Sequence, residues 1–233
     1  MSDVTLNINA EGKASPVLSK FNGVLSNIFS TAMGFITRDV FRFLGQQATA
    51  FAKSIYTEGA QAEQAMADLN ATLLSTGGVS GMTVESVSAL ASSLQQVTMF
   101  ADDTILTGQN MLLTFTNIGK DVFPMATEAM LNMSQKMKQD VSQTAIQLGK
   151  ALNDPINGLT ALRRVGVTFT QDQENVIKSL VATGDVAGAQ AVILAELEKE
   201  FGGVARAAGQ TLPGKIEIMK NSLGSLKETI YFS

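Results

Sequence analysis

Apolar positions recur at intervals of three and four over most of this chain, the period of helices that bury one face. The start departs from it: Val4, Leu6, Ile8 and Ala10 alternate with polar residues and predict a short strand or extended arm within residues 1–14. Ser15-Pro16 then supplies a cap and a first-turn proline, and Phe21, Val24, Leu25, Ile28, Phe35 and Phe43 predict a long helix over 15–56. At about 1.5 Å per residue it approaches roughly 60 Å, so a kink near Gly34 or Gly45, or a projection, is expected. A second helix is predicted over 58–74, ending in the flexible loop of residues 75–81, a candidate boundary. Val84, Val87, Leu90, Ala91 and Leu94 predict an amphipathic helix over 83–100. Asp102-Asp103 caps a helix carrying Ile105, Leu112 and Leu113, and residues 117–121 break the pattern. Pro124 opens a helix with Met125, Met130, Met133 and Met137, a stripe better explained by core packing than by an adaptable partner surface. Asp140 caps the helix that ends at Leu152, and no repeat of fixed period emerges.

The most strongly punctuated stretch is residues 153–203. Asn153-Asp154-Pro155 breaks the preceding helix and opens a short one, which Val165-Gly166-Val167 ends. Thr170 followed three residues on by Gln173 is a capping-box spacing, with Val176, Ile177, Leu180 and Val181 as one stripe behind it. Gly184 stops that helix and Asp185 caps the next, whose Val186, Ala189, Ile193, Leu197 and Phe201 share a face until Gly202-Gly203. A helical hairpin is predicted. The fold class is therefore all-α: a multi-helix array with a long N-terminal helix, a C-terminal helical hairpin and a short N-terminal extended segment. Its expected divisions are an arm at 1–14, a long helical region at 15–76, and a helical domain at 82–233 that holds the hairpin.

Composition narrows the chemistry. The 233 residues include 12 Phe and 11 Met but no Trp, so the core is aliphatic, Phe, Met and Ala. A formal charge of −4 with only 16% charged residues gives no broad attraction to phosphate, and no specific nucleic-acid site is expected. With neither cysteine nor histidine, there are no disulfides, no Cys/His zinc sites and no imidazole-activated nucleophiles. Carboxylate chemistry remains open. Its nearest candidates, Asp102-Asp103 and the trio Glu196, Glu198 and Glu200, read as a helix start and a solvated helix face. Residues 209–215, GQTLPGK, have phosphate-loop spacing, but Ile216 stands where Ser or Thr must hold magnesium and no strand precedes. They are expected to form a loop leading into a last helix over 215–231. The sequons at Asn70 and Asn132 mean nothing without secretion.

The order Asp154-Pro155, Gly158-Leu159, Leu162-Arg163-Arg164-Val165-Gly166-Val167, Gly184-Asp185, Ala189-Gln190 and Glu200-Phe201-Gly202-Gly203 resembles the signature hairpin of the tail tape measure proteins of long-tailed bacteriophages and prophages. The opening DVTLNINAEGKAS, with the small-residue, Phe-rich stretch after it, is similar to the start of such proteins. The resemblance implies a structural protein with no catalytic residue, cofactor or metal. It implies a chain that lies in the tail lumen of the virion, and in the host cytoplasm during assembly, recruiting tube subunits and limiting tube length. The implied partners are other tape measure subunits, the tail tube protein, tail assembly chaperones, and tail tip or terminator proteins. As one helix the chain would span only about 350 Å, so the expectation is the N-terminal part of a longer tape or an unusually short relative. Leu162, Val165 and Phe169 are expected to join the short helix to the hairpin, with Arg163 and Arg164 facing a partner.

Two other readings stay open. Residues 21–37 carry no charge, and the family is implicated in delivering DNA across the host envelope, so membrane contact by this segment is one alternative. Its two Asn, two Gly, two Ser and two Thr favour a buried or partner-facing helix. A cell-wall-cleaving module using a carboxylate is the other.

Overall fold

A computed structural model describes the backbone of residues 38–78 and 80–231, and side chains within 53–225 except Val79 and Leu223. Every described element is a helix. They are α1 (Arg38–Ser75), α2 (Val84–Gln95), α3 (Asp102–Leu113), α4 (Phe123–Met137), α5 (Val141–Asn153), α6 (Leu159–Arg163), α7 (Gln171–Ala182), α8 (Val186–Phe201), α9 (Val204–Gln210) and α10 (Leu212–Tyr231). Residues 61–225 form one compact unit; residues 1–60 with 226–233 fall in another, whose described part is helical. The arm at 1–14 and the membrane candidate at 21–37 lie outside the described residues.

Inside the 61–225 unit, α3, α4 and α5 pack on one another, α2 lies on α3, and α8 and α9 lie on α4. α7 covers α8 and α6 closes on α5. The apolar stripes meet in one core, where Ile105, Leu112, Leu113, Phe123, Met130, Leu131, Met133, Leu148, Leu152 and Leu162 are fully buried. At roughly 1.5–3 kcal/mol for each such side chain, this burial is the main stabilising force. The methionine stripe divides accordingly: Met130 and Met133 are core, whereas Met125 is half exposed. Close approach of α5 to the end of α3 requires Gly149, since a Cβ there would run into the Phe115 ring.

Several boundaries differ from the sequence-based expectation. The break between 15–56 and 58–74 is absent: α1 runs unbroken through Gly45, Tyr56 and Gly59. No proline interrupts it, and Ala60, Gln61, Ala62, Glu63, Gln64 and Ala65 are strong helix formers that outweigh about 1 kcal/mol lost at one glycine. α2 stops at Gln95 rather than near Phe100, and in the turn that follows Leu94 O accepts from Val97 N, Thr98 N and the Thr98 hydroxyl, the last at 2.8 Å. The N-cap of α3 is Ala101, with Asp102 and Asp103 in its first turn. The loop expected at 209–215 is a helix junction. α9 ends at Gln210, and the Thr211 hydroxyl accepts from Gly214 N at 3.1 Å to start α10 three residues earlier than expected. Pro213 sits in that first turn, where its missing N–H does no harm. No cradle of amides is left for a phosphate. Asn132 of the second sequon is buried, its Oδ1 accepting from Ala205 N at 3.0 Å to cap α9.

Candidate functional site

The 153–203 stretch is assembled by local capping first. Asp154 Oδ1 accepts from the backbone N–H groups of Ile156 (3.3 Å) and Asn157 (3.1 Å), and Oδ2 from Asn157 Nδ2 (2.9 Å). These bonds, the Asn157 side chain foremost, hold its carboxyl below the usual carboxylate range. Pro155 is buried in this turn rather than in a helix, and α6 begins only at Leu159. At α7, Thr170 and Gln173 form the expected capping box, with Gln173 N donating to Thr170 Oγ1 at 3.2 Å and Thr170 N donating to Gln173 Oε1 at 2.8 Å. Gly184, at φ +84°, turns the chain between α7 and α8, a conformation glycine adopts freely. Asp185 Oδ1 then accepts from Gly188 N at 2.8 Å.

Side chains next tie the hairpin together. Gln173 Nε2 donates to Glu196 Oε2 at 2.6 Å, Lys199 Nζ to Glu196 Oε1 at 3.1 Å, and Thr168 N to Glu200 Oε1 at 3.2 Å. Glu196 is therefore not the solvated acid its run suggested: it is 6% exposed, and Gln173 and then Lys199 hold its carboxyl below the ordinary range. Of the predicted stripe in α7, only Ile177 is fully buried, while Leu180 and Val181 are partly covered and Val176 is exposed. α8 keeps Ala189, Ile193, Leu197 and Phe201 inside.

The hairpin is anchored to the unit by a polar knot at the end of α5. The last carbonyls of a helix have no partner within it. Gln190 Nε2 donates to Leu152 O and to Asn117 O, both at 2.8 Å, and Asn117 Nδ2 donates to Asn153 O at 2.7 Å. Thus α5 is capped by residues remote in the chain. Beside this knot lies a cleft of about 310 Å³ lined by Asn117, Lys120, Asp121, Asp185, Val186 and Gln190 among others.

Of the five candidate contact residues, Leu162 is fully buried, and Val165 and Phe169 are partly buried against the core. Arg163 is bound to Glu174 in an ion pair, and Arg164 is exposed. Sequence reasoning passed over Asn117 as a residue of a break. Gln190 carried a readable signal, since it lies in register with Val186, Ile193 and Leu197 on an otherwise apolar stripe. Among the described residues no group of three acids is placed to hold a metal ion, and no helix is long and apolar enough to cross a membrane.

The family model of prophage tail length tape measure proteins matches residues 12–173. The chain belongs to that family. No curated protein and no solved structure matches it. The match takes in α1 to α6 and the capping box of α7, and ends before α8. Within this tape measure family member, the residues that first suggested the family are mostly structural. Asp154 makes a turn, Gly184-Asp185 makes the hairpin bend, and Gln190 fastens it. Membership implies a phage tail protein that associates with other tail components.

Proposed function

We propose that the 61–225 unit is a docking module of a tail-length determinant: it fixes the tape in the tail tube during assembly, while extended helix supplies length. The observation that carries this reading is the family match over 12–173, joined to the contrast between the 38-residue α1 and the shorter, mutually packed helices after it. α1, with 38 residues, spans about 57 Å at the helical rise. Beyond it the chain folds back on itself, so these residues add little measured distance. Their use is surface. The docking partners proposed are other tape measure subunits, the tail tube protein, assembly chaperones and the tip or terminator proteins, met first in the host cytoplasm and then in the tail lumen. Docking at fixed geometry needs rigid elements, which the capped hairpin provides.

At the proposed contact, Arg164 is the better probe than Arg163, because reversing Arg163 would also set two acids together at Glu174. Arg164→Glu in the full protein should leave the circular dichroism spectrum unchanged and lower the yield of complete tails. Unchanged yield removes Arg164 from the contact. For the larger reading, purified tails should contain these peptides by mass spectrometry, and in-frame changes in the extended helices should alter tail length. Tails of unaltered length that lack the protein would defeat it.

A further inference from the structure

The turn between α5 and α6 contains the pair Asn157-Gly158, and asparagine followed by glycine is chemically labile toward loss of its side-chain amide. In that reaction the glycine nitrogen attacks Cγ of the asparagine, so that a C–N bond forms and the bond from Cγ to Nδ2 breaks. The attacking N–H gives its proton to solvent base, Nδ2 takes a proton from water and leaves as ammonia, and a succinimide ring remains. Water then opens the ring to aspartate or isoaspartate, with no oxidant or reductant involved. Glycine permits the attack because it has no Cβ in the way and turns freely. Here packing demands that glycine: a Cβ on Gly158 would run into the carbonyl oxygens of Lys150 and Asp154 at the end of α5. The labile pair is thus a consequence of how closely this turn approaches the helix before it.

In the folded unit Asp154 holds both reacting groups. Its backbone O accepts from Gly158 N at 2.7 Å, which occupies the nucleophile. That bond closes one helical turn over residues 155–157, so Asn157 cannot bring Gly158 N behind its own Cγ without breaking it. Asp154 Oδ2 accepts from Asn157 Nδ2 at 2.9 Å, which ties down the leaving group, while Oδ1 accepts from Asn157 N at 3.1 Å. Asn157 itself is exposed, so water reaches it and burial is not what protects it. We infer that Asn157-Gly158 is a latent deamidation site, closed by Asp154 while the turn is formed and open when the turn comes apart. The modification runs one way. Aspartate at 157 sets a second carboxylate against Asp154 in place of a donor, and isoaspartate adds a methylene to the backbone inside the closed turn. A chain that lingers unfolded therefore loses the means to remake the entry to α6. The site belongs to this turn and does not depend on the tail-length reading.

The test incubates the full chain in mildly alkaline buffer, folded and in urea, and follows residue 157 by peptide mass spectrometry for exchange of amide for acid. Enzymatic methylation of isoaspartate identifies the product. A second such pair in the sequence, Asn22-Gly23, supplies the reference rate in urea. In urea the two asparagines should react at comparable rates, and in the folded chain Asn157 should react at least about tenfold more slowly than in urea. Asp154→Ala, shown by circular dichroism to be folded, should speed the folded-state reaction about fivefold, as loss of one net hydrogen bond implies. Asp154→Ser keeps an oxygen for the turn N–H groups but lacks the second that holds Nδ2, so it serves if the alanine variant misfolds, and it too should react faster than the parent. Equal rates at Asn157 in the folded and unfolded chain overturn the inference. So does a folded Asp154 variant that reacts no faster than the parent, or an Asn157 that stays intact in urea while Asn22 reacts.

Discussion

Gln190 offers the sharpest test of how the hairpin is held. Its side chain is buried and spans two carbonyls, one at the end of α5 and one in the loop before α4, at 2.8 Å each. Gln190→Met preserves length and volume while deleting both donors. Two net hydrogen bonds at about 1 kcal/mol each, with part of the desolvation penalty of the stranded carbonyls, come to about 2–3 kcal/mol. The thioether is more apolar than the amide and returns roughly 1 kcal/mol, leaving a loss of about 1–2 kcal/mol. With a urea slope of about 2 kcal/mol/M, the unfolding midpoint should fall by about 0.5–1 M at unchanged slope. Gln190→Ala adds a cavity and should cost about 1 kcal/mol more. Equilibrium urea unfolding followed by far-ultraviolet circular dichroism is the assay. A methionine variant as stable as the parent would refute the reasoning, because the remote cap would then contribute nothing.

The remaining predictions concern other parts of the unit. Glu196→Gln should be less stable than the parent at pH 7; because the carboxyl is held below its ordinary value of 4.5, the difference should persist above that pH and vanish as the pH falls through the depressed value. A difference that grows on acidification would show the linkage to be wrong. Asp102, raised mainly by burial, has the opposite sign: it weighs on stability increasingly as the pH rises through its raised value, so Asp102→Asn should gain stability at neutral pH relative to pH 4 in paired melts. Thr170→Ala should cost about 1 kcal/mol through loss of the α7 cap, read as a lower thermal midpoint. Gly149→Ala should cost about 1–3 kcal/mol, and Phe115→Leu beside it should recover part of that loss in a double-mutant cycle.

What could be read in advance was what neighbouring residues decide. Asp140, Thr170 with Gln173, and Gly184-Asp185 each set a helix boundary from within a few residues, and each stands as expected. The stripes of α2 and α8 were likewise legible, since a helical period identifies a buried face without naming what covers it. What escaped were pairings across the fold. Nothing near Glu196 in sequence announces that Gln173 will cover it, and nothing near Asn117 announces the end of α5. Where the expectation differed locally, between the helices placed at 15–56 and 58–74 and in the loop placed at 209–215, helix-forming neighbours prevailed over the expected breaks. Of the residues expected at a partner contact, Leu162 belongs to the core and Arg163 to Glu174, pairings that local sequence does not announce.

The remote cap on α5 also sets an order of events in time. Leu152 and Gln190 are 38 residues apart in the chain. At translation rates of about 5–20 residues per second, the end of α5 leaves the ribosome roughly 2–8 s before the side chain that seals it. During that interval its last carbonyls face whatever the nascent chain meets, and the helix frays and reforms far faster than synthesis advances. Release of the α8 segment then locks the end in place. A protein built this way carries a delay in its own maturation, set by the length of chain between a helix end and the residue that caps it.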